Sequence, residues 1–123
     1  MLNPKILIGV MSGTSLDGID IALVKIDKKK ISVVDFLHIN YSSRLKENII
    51  KLHFPKNNEL EKSFMLSNKL AILTGKGINS LLLKNSLSVK QIKGVGYHGQ
   101  TIRHRPDRGY TIQIGNADLL SEL

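Results

Sequence analysis

Two hydrophobic rhythms divide this chain. Up to Ile39 the apolar residues come in short runs rich in β-branched side chains. Ile6-Leu7-Ile8-Gly9-Val10 is unbroken, which predicts a strand buried on both faces. Ile19 to Ile26 alternates well enough for a second strand, and Ile31 to Ile39 for a third. The links between them are short, and Asp27-Lys28-Lys29-Lys30 is a turn, so the pattern predicts a three-stranded antiparallel meander.

After Tyr41 the spacing becomes helical. Arg44 to Leu52 predicts a helix with Ser43 as its N-cap, ended by Pro55. A longer helix is expected from about Asn58. Leu60, Phe64, Ala71, Ile78 and Leu82 lie near one face, which Leu66, Leu70, Leu73 and Leu81 widen. Gly75 and Gly77 predict a bend or break there. Gly94 to His98 reads as a strand, Gly99 to Gly109 as a polar loop, and Tyr110 to Ile114 as another strand. Asn116 is the expected cap of a last helix, whose apolar face begins at Leu119, Leu120 and Leu123. The chain ends about two turns into that helix, which suggests truncation. The order predicts an α/β layer with a mixed sheet, the way ribonuclease-H-like ATPase domains begin.

Composition narrows the picture. At 123 residues the chain suits one small domain or half of a two-lobed enzyme. No apolar run is long enough to cross a bilayer, and the first run is too short for a secretory leader. Cysteine is absent, which excludes disulfides and thiolate metal sites. An intracellular, cytoplasmic protein is therefore expected. The net charge of +8 raises nucleic-acid binding. The lysines are scattered, however, and aromatic residues are only 5% of the chain, too few for base stacking. A solvated lysine-rich surface is the expectation, with neither nucleic acid nor membrane as partner.

The loop between the first two strands carries the strongest chemistry: Gly9-Val10-Met11-Ser12-Gly13-Thr14-Ser15-Leu16-Asp17-Gly18-Ile19-Asp20. Its glycines let a phosphate approach the backbone closely. Amide N–H groups and the Ser12, Thr14 and Ser15 hydroxyls can donate to phosphate oxygens, and Asp17 or Asp20 can hold Mg²⁺ through water. A plain hairpin also uses Gly and Asp, although it rarely needs several hydroxyls as well. A second candidate follows the strand at Tyr97: His98, Gln100 and Thr101 offer the polar fingers that sugar hydroxyls require. A histidine satisfied beside a turn is the plainer reading of His98, and His104 reads as a surface residue. Gly94-Val95-Gly96-Tyr97-His98-Gly99 spells a dinucleotide-binding pattern, but its glycines lie within the strand rather than between strand and helix. Gly75-Lys76-Gly77 lacks the rest of a P-loop. His38, His53, His98 and His104 lack metal-ligand spacing.

The first loop resembles the N-terminal signature of anhydro-N-acetylmuramic acid kinases. Tyr97 to Pro106 resembles their second signature, and Thr111-Ile112-Gln113-Ile114-Gly115 their third, in the family's order and spacing. The resemblance implies a two-domain kinase of the sugar kinase, actin and Hsp70 superfamily. Such an enzyme opens the 1,6-anhydro ring of anhydro-N-acetylmuramic acid and phosphorylates O6 with ATP and Mg²⁺, recycling bacterial cell-wall sugar. It places the ATP phosphates along Gly13, Thr14, Ser15, Leu16, Asp17, Gly18, Ile19 and Asp20, the metal at Asp17, and the sugar near His98, Gln100 and Thr101.

Family members are much longer, and their general base and adenine loops lie in stretches that have no counterpart here. Residues 1–123 are thus expected to be the N-terminal part of such a kinase, with the second lobe absent, no catalytic residue in the chain, and no activity alone. The alternative is a remnant that binds phosphate, sugar or protein, pairing as a homodimer through an exposed apolar edge.

Overall fold

The computed structural model describes residues 4–13 and 15–123. The predicted meander is present as β1 (Lys5–Ser12), β2 (Gly18–Asp27) and β3 (Lys30–Asn40), antiparallel throughout. Two helices follow, α1 (Ser43–Lys51) and α2 (Glu59–Lys84). The chain then returns through β4 (Ile92–Arg105), which lies parallel to β1, and β5 (Tyr110–Ile114), antiparallel to β4. It closes with α3 (Ala117–Glu122). The mixed sheet has the order β3-β2-β1-β4-β5, with helices packed against it, as the pattern predicted.

One apolar cluster joins the helices to the sheet. Ile8 and Val10 of β1 meet Ile19, Ile21 and Leu23 of β2, Leu45 and Ile49 of α1, Leu70, Ile78 and Leu81 of α2, and Ile102 and Ile114 of β4 and β5. Only one face of β1 is covered. Ile8, Val10 and Ser12 point into the cluster, whereas Met11 is 57% exposed, as is Phe36 to 54% on β3. The expectation of burial on both faces is therefore corrected. An unbroken apolar run records what a strand tolerates on each face, and the second cover is a tertiary matter.

Local chemistry accounts for the other departures. Ser42, not Ser43, caps α1: its extended backbone lets Oγ accept from the Leu45 N–H at 3.1 Å. α2 runs unbroken through Gly75 and Gly77. A Cβ at Gly77 would come within 2.6 Å of Ile21 and Ile39 Cδ1, so the missing side chain lets the helix lie close on β2 and β3. That contact outweighs the poor helix propensity of glycine. Leu60 and Phe64, placed by spacing on the inner face of α2, are exposed, because the helix meets the core only from Leu66 onward. The predicted polar loop from Gly99 is instead strand as far as Arg105. Pairing with β5 satisfies its backbone, and the chain reverses in a 3-10 turn at Pro106–Arg108. Asn116 caps α3 as expected, accepting from the Leu119 N–H at 3.0 Å.

Candidate active site

The loop that joins β1 to β2 is pinned from inside. Leu16 takes a left-handed backbone (φ 59°), a strained choice for leucine, and buries its side chain. Its N–H reaches the Gly13 carbonyl at 3.4 Å, and the Tyr41 N–H donates to the Asp17 carbonyl at 3.0 Å. Gly18 has no room for a side chain: a Cβ there would sit 2.0 Å from the Ile39 carbonyl oxygen and 2.8 Å from His38 Nε2. The loop is thereby held against the end of β3.

Ser15 and Asp17 face outward. Ser15 Oγ donates to Asp17 Oδ1 at 3.0 Å, and this bond holds the exposed Asp17 carboxyl below the usual carboxylate range. Asp17 is thus anionic at neutral pH and accessible. Asp20 is different. Its Oδ1 lies 2.6 Å from His38 Nδ1, while His38 Nε2 lies 3.0 Å from Asn40 Oδ1. Both ring nitrogens face oxygen acceptors, which suits the doubly protonated ring, and the Asp20 bond is the main reason that the His38 pKa is raised.

β4 brings the second group to the same end of the sheet. Between Val10 and Ser12 of β1 the paired residues of β4 run from Tyr97 to Gln100, so β4 carries one extra residue. Gly99 accommodates this bulge with φ +81°, and a Cβ there would strike the Ile114 carbonyl oxygen at 2.7 Å. The bulge turns Gln100 inward, onto the same face as Tyr97, where it is fully buried. His98 remains exposed and Nδ1 lies 3.0 Å from the Gly99 carbonyl oxygen. With Gly9, Met11, Asp20, Phe36 and Gly96, it lines a shallow depression across the open sheet face.

Residues 5–123 match the family model for anhydro-N-acetylmuramic acid kinase. The chain belongs to this family. It is 42% identical to the anhydro-N-acetylmuramic acid kinase of Nitrosospira multiformis over 118 residues, 94% of this chain and 32% of the relative. The kinase of Thiobacillus denitrificans is also 42% identical, over 94% of this chain and 31% of its own length. That of Acinetobacter baylyi is 41% identical, over 96% and 31%. The chain spans about a third of the length of the curated relatives that it matches.

The anhydro-N-acetylmuramic acid kinase signatures can now be placed. Of the loop residues, Gly13, Ser15 and Asp17 lie in the turn itself, Gly18 opens β2, and Thr14 falls outside the described residues. Leu16 and Ile19 are buried, so they offer a ligand only their backbone. Asp20 is held by His38. Of the second signature, His98 and Thr101 remain accessible while Gln100 is enclosed. The third signature lies beside the second: Gln113 Nε2 donates to Thr101 Oγ1 at 3.3 Å and to Thr111 Oγ1 at 3.1 Å. Reading along the sequence names Thr101 and the third signature but not their contact, takes His38 only as a rejected metal ligand, and passes over Asn40 and Tyr41. Each owes its place to strand register, as His38 opposite Asp20 illustrates.

A magnesium ion that travels with a nucleotide keeps several waters and needs one or two carboxylates. The exposed, ionised Asp17 fits that demand. No cluster of three acids or histidines able to cage a cation occurs among the described residues. Among them too, no helix is long and apolar enough to cross a membrane.

Proposed function

We propose that this chain is the phosphate-binding part of an ATP-dependent kinase that opens the 1,6-anhydro ring of anhydro-N-acetylmuramic acid and phosphorylates its O6. Family membership supports the reading, and the observation that carries it is the loop from Gly13 to Asp20 pinned beside the β4 signature. The ATP phosphates lie against the Gly13–Gly18 backbone and the Ser15 hydroxyl, with Thr14 as a further donor. Asp17 faces the hydrated Mg²⁺, which supplies charge neutralisation at the phosphates. Leu16 and Ile19 contribute backbone, and Asp20 shapes the far end of the loop. The sugar sits toward His98 and Thr101, with Gln100 behind them. The work takes place in the cytoplasm, without nucleic acid as partner.

No catalytic base is assigned within the chain. Of the carboxylates near the site, Asp17 faces the metal and Asp20 is bonded by His38. The base for the attacking water belongs to the second lobe, in the two-thirds of the family length beyond this match. A missing positioned base costs about 10²–10⁴-fold in rate. The test is an ADP-release assay with the anhydro sugar. The chain alone should give no turnover, and adding the remaining segment of the Nitrosospira multiformis relative should restore it. Turnover by the chain alone, or none from the complemented pair, contradicts the proposal.

The open sheet face favours a second reading, in which two copies pair through Met11, Val33 and Phe36. Sedimentation equilibrium decides it, since a monomer at micromolar concentration excludes such a dimer.

A further inference from the structure

Gln100 is 0% exposed, yet it carries an amide, and every bond that amide makes is internal. Its Oε1 accepts from the Tyr41 hydroxyl at 2.9 Å. Its Nε2 donates to the Gly13 carbonyl at 3.2 Å and to the Thr101 carbonyl at 3.0 Å, which uses both amide protons. The partners come from separate segments: Gly13 opens the loop after β1, Tyr41 follows β3, and Thr101 lies in β4. Tyr41 is itself buried, and the Ser12 hydroxyl lies against its phenol. Enclosed and with its donors used, Gln100 has no donor to give a sugar. Its place depends on the Gly99 bulge, which turns it onto the inner face opposite Ser12.

We infer that Gln100 and Tyr41 form a strut that fixes the Gly13 carbonyl and so sets the start of the phosphate loop, which makes Gln100 a positioning residue rather than a substrate contact. The inference rests on reading Gly13–Asp20 as the phosphate loop. Gly13 has no side chain to anchor it, and among the described residues its carbonyl otherwise accepts a long bond from the Leu16 N–H alone. The strut supplies the anchor from the strand that bears His98 and Thr101. The two binding segments therefore share one buried amide, which holds them in fixed relation.

Tyr41→Phe is the gentle test, because it keeps the ring and leaves Gln100 Oε1 buried without its donor. Gln100→Met is the second variant, keeping the volume while removing both ends of the strut. Amide hydrogen exchange reads the loop without any nucleotide. In each variant that melts cooperatively, the Leu16, Asp17 and Gly18 amides should exchange about tenfold faster, the worth of one lost bond, with Ile8 and Ile21 unchanged. The Gln100 side-chain amide protons should exchange slowly in the wild type and fast in Tyr41→Phe. Mg-ATP affinity should fall by about tenfold in both variants. Unchanged loop exchange, or loop and core amides loosened together, overturns the strut. A wild-type chain that binds no Mg-ATP contradicts the phosphate-loop reading instead, and the two failures are told apart because exchange is measured in the free chain.

Discussion

Replacing Gly18 by alanine tests the packing that holds the loop between β1 and β2. The added Cβ would lie 2.0 Å from the Ile39 carbonyl oxygen, a backbone atom of the neighbouring strand, and within 3 Å of the His38 ring. Side-chain rotation cannot relieve a clash with backbone, so β2 and β3 must part where Gly18 pairs with Asn40. Overpacking of this kind costs about 1–3 kcal/mol. The adjacent bond from the Tyr41 N–H to the Asp17 carbonyl is lost with it, adding about 1 kcal/mol. The sum, about 2–4 kcal/mol, is a large share of the roughly 5–15 kcal/mol that stabilises a domain. At roughly 4 °C per kcal/mol for a chain of this size, Tm should fall by about 8–16 °C. Gly9→Ala is the control. Nothing lies within 4 Å of a Cβ there, and the strand should gain about 0.5–1 kcal/mol from lower chain entropy. Urea melts of both variants, fitted with a common slope, give the comparison. An unchanged Gly18→Ala midpoint, or equal losses in the two variants, would refute the reasoning.

Other predictions follow from the core and the loop. Ile21→Ala, at a fully buried position against Gly77, should cost about 2–5 kcal/mol. Ile31→Ala, at a position 72% exposed, should stay within about 0.5 kcal/mol, and similar urea midpoints for the two would contradict the assigned core. The raised pKa of His38 means that the folded state favours its protonated ring. That stabilisation is full below the ordinary histidine value of about 6.5 and disappears as pH rises through the higher folded value. Melts between pH 6 and pH 8.5 should therefore show the advantage of wild type over His38→Gln shrinking with pH, and parallel profiles would exclude the Asp20 partnership.

Much of this fold is written locally. The β1–β2–β3 meander follows from apolar runs separated by short polar turns, and the β1–β2 loop from glycines and hydroxyls packed into one turn. What the pattern misplaced depends on partners distant in sequence. Gln100 reads as exposed within a polar stretch, and the bulge at Gly99 turns it inward and buries it. Gly75 and Gly77 look like helix breakers until Leu123, Ile21 and Ile39 are seen to occupy the space beside them. Two adjacent serines stand at the start of α1, and which one caps it is a matter of backbone angle rather than composition. His38 gains its role from the register that sets it opposite Asp20, eighteen positions away in the chain.

The central claim is that the loop from Gly13 to Asp20 holds nucleotide phosphate, and a thermal melt with and without millimolar Mg-ATP tests it most directly. Ligand binding stabilises the native state by RT ln(1 + [L]/Kd), so a site occupied at 100 times its Kd adds about 2.7 kcal/mol. The wild-type chain should melt at a higher temperature with Mg-ATP, while Asp17→Ala should melt cooperatively and show a much smaller rise. A cooperative wild-type melt that Mg-ATP leaves unmoved, or an equal rise in Asp17→Ala, would contradict the account.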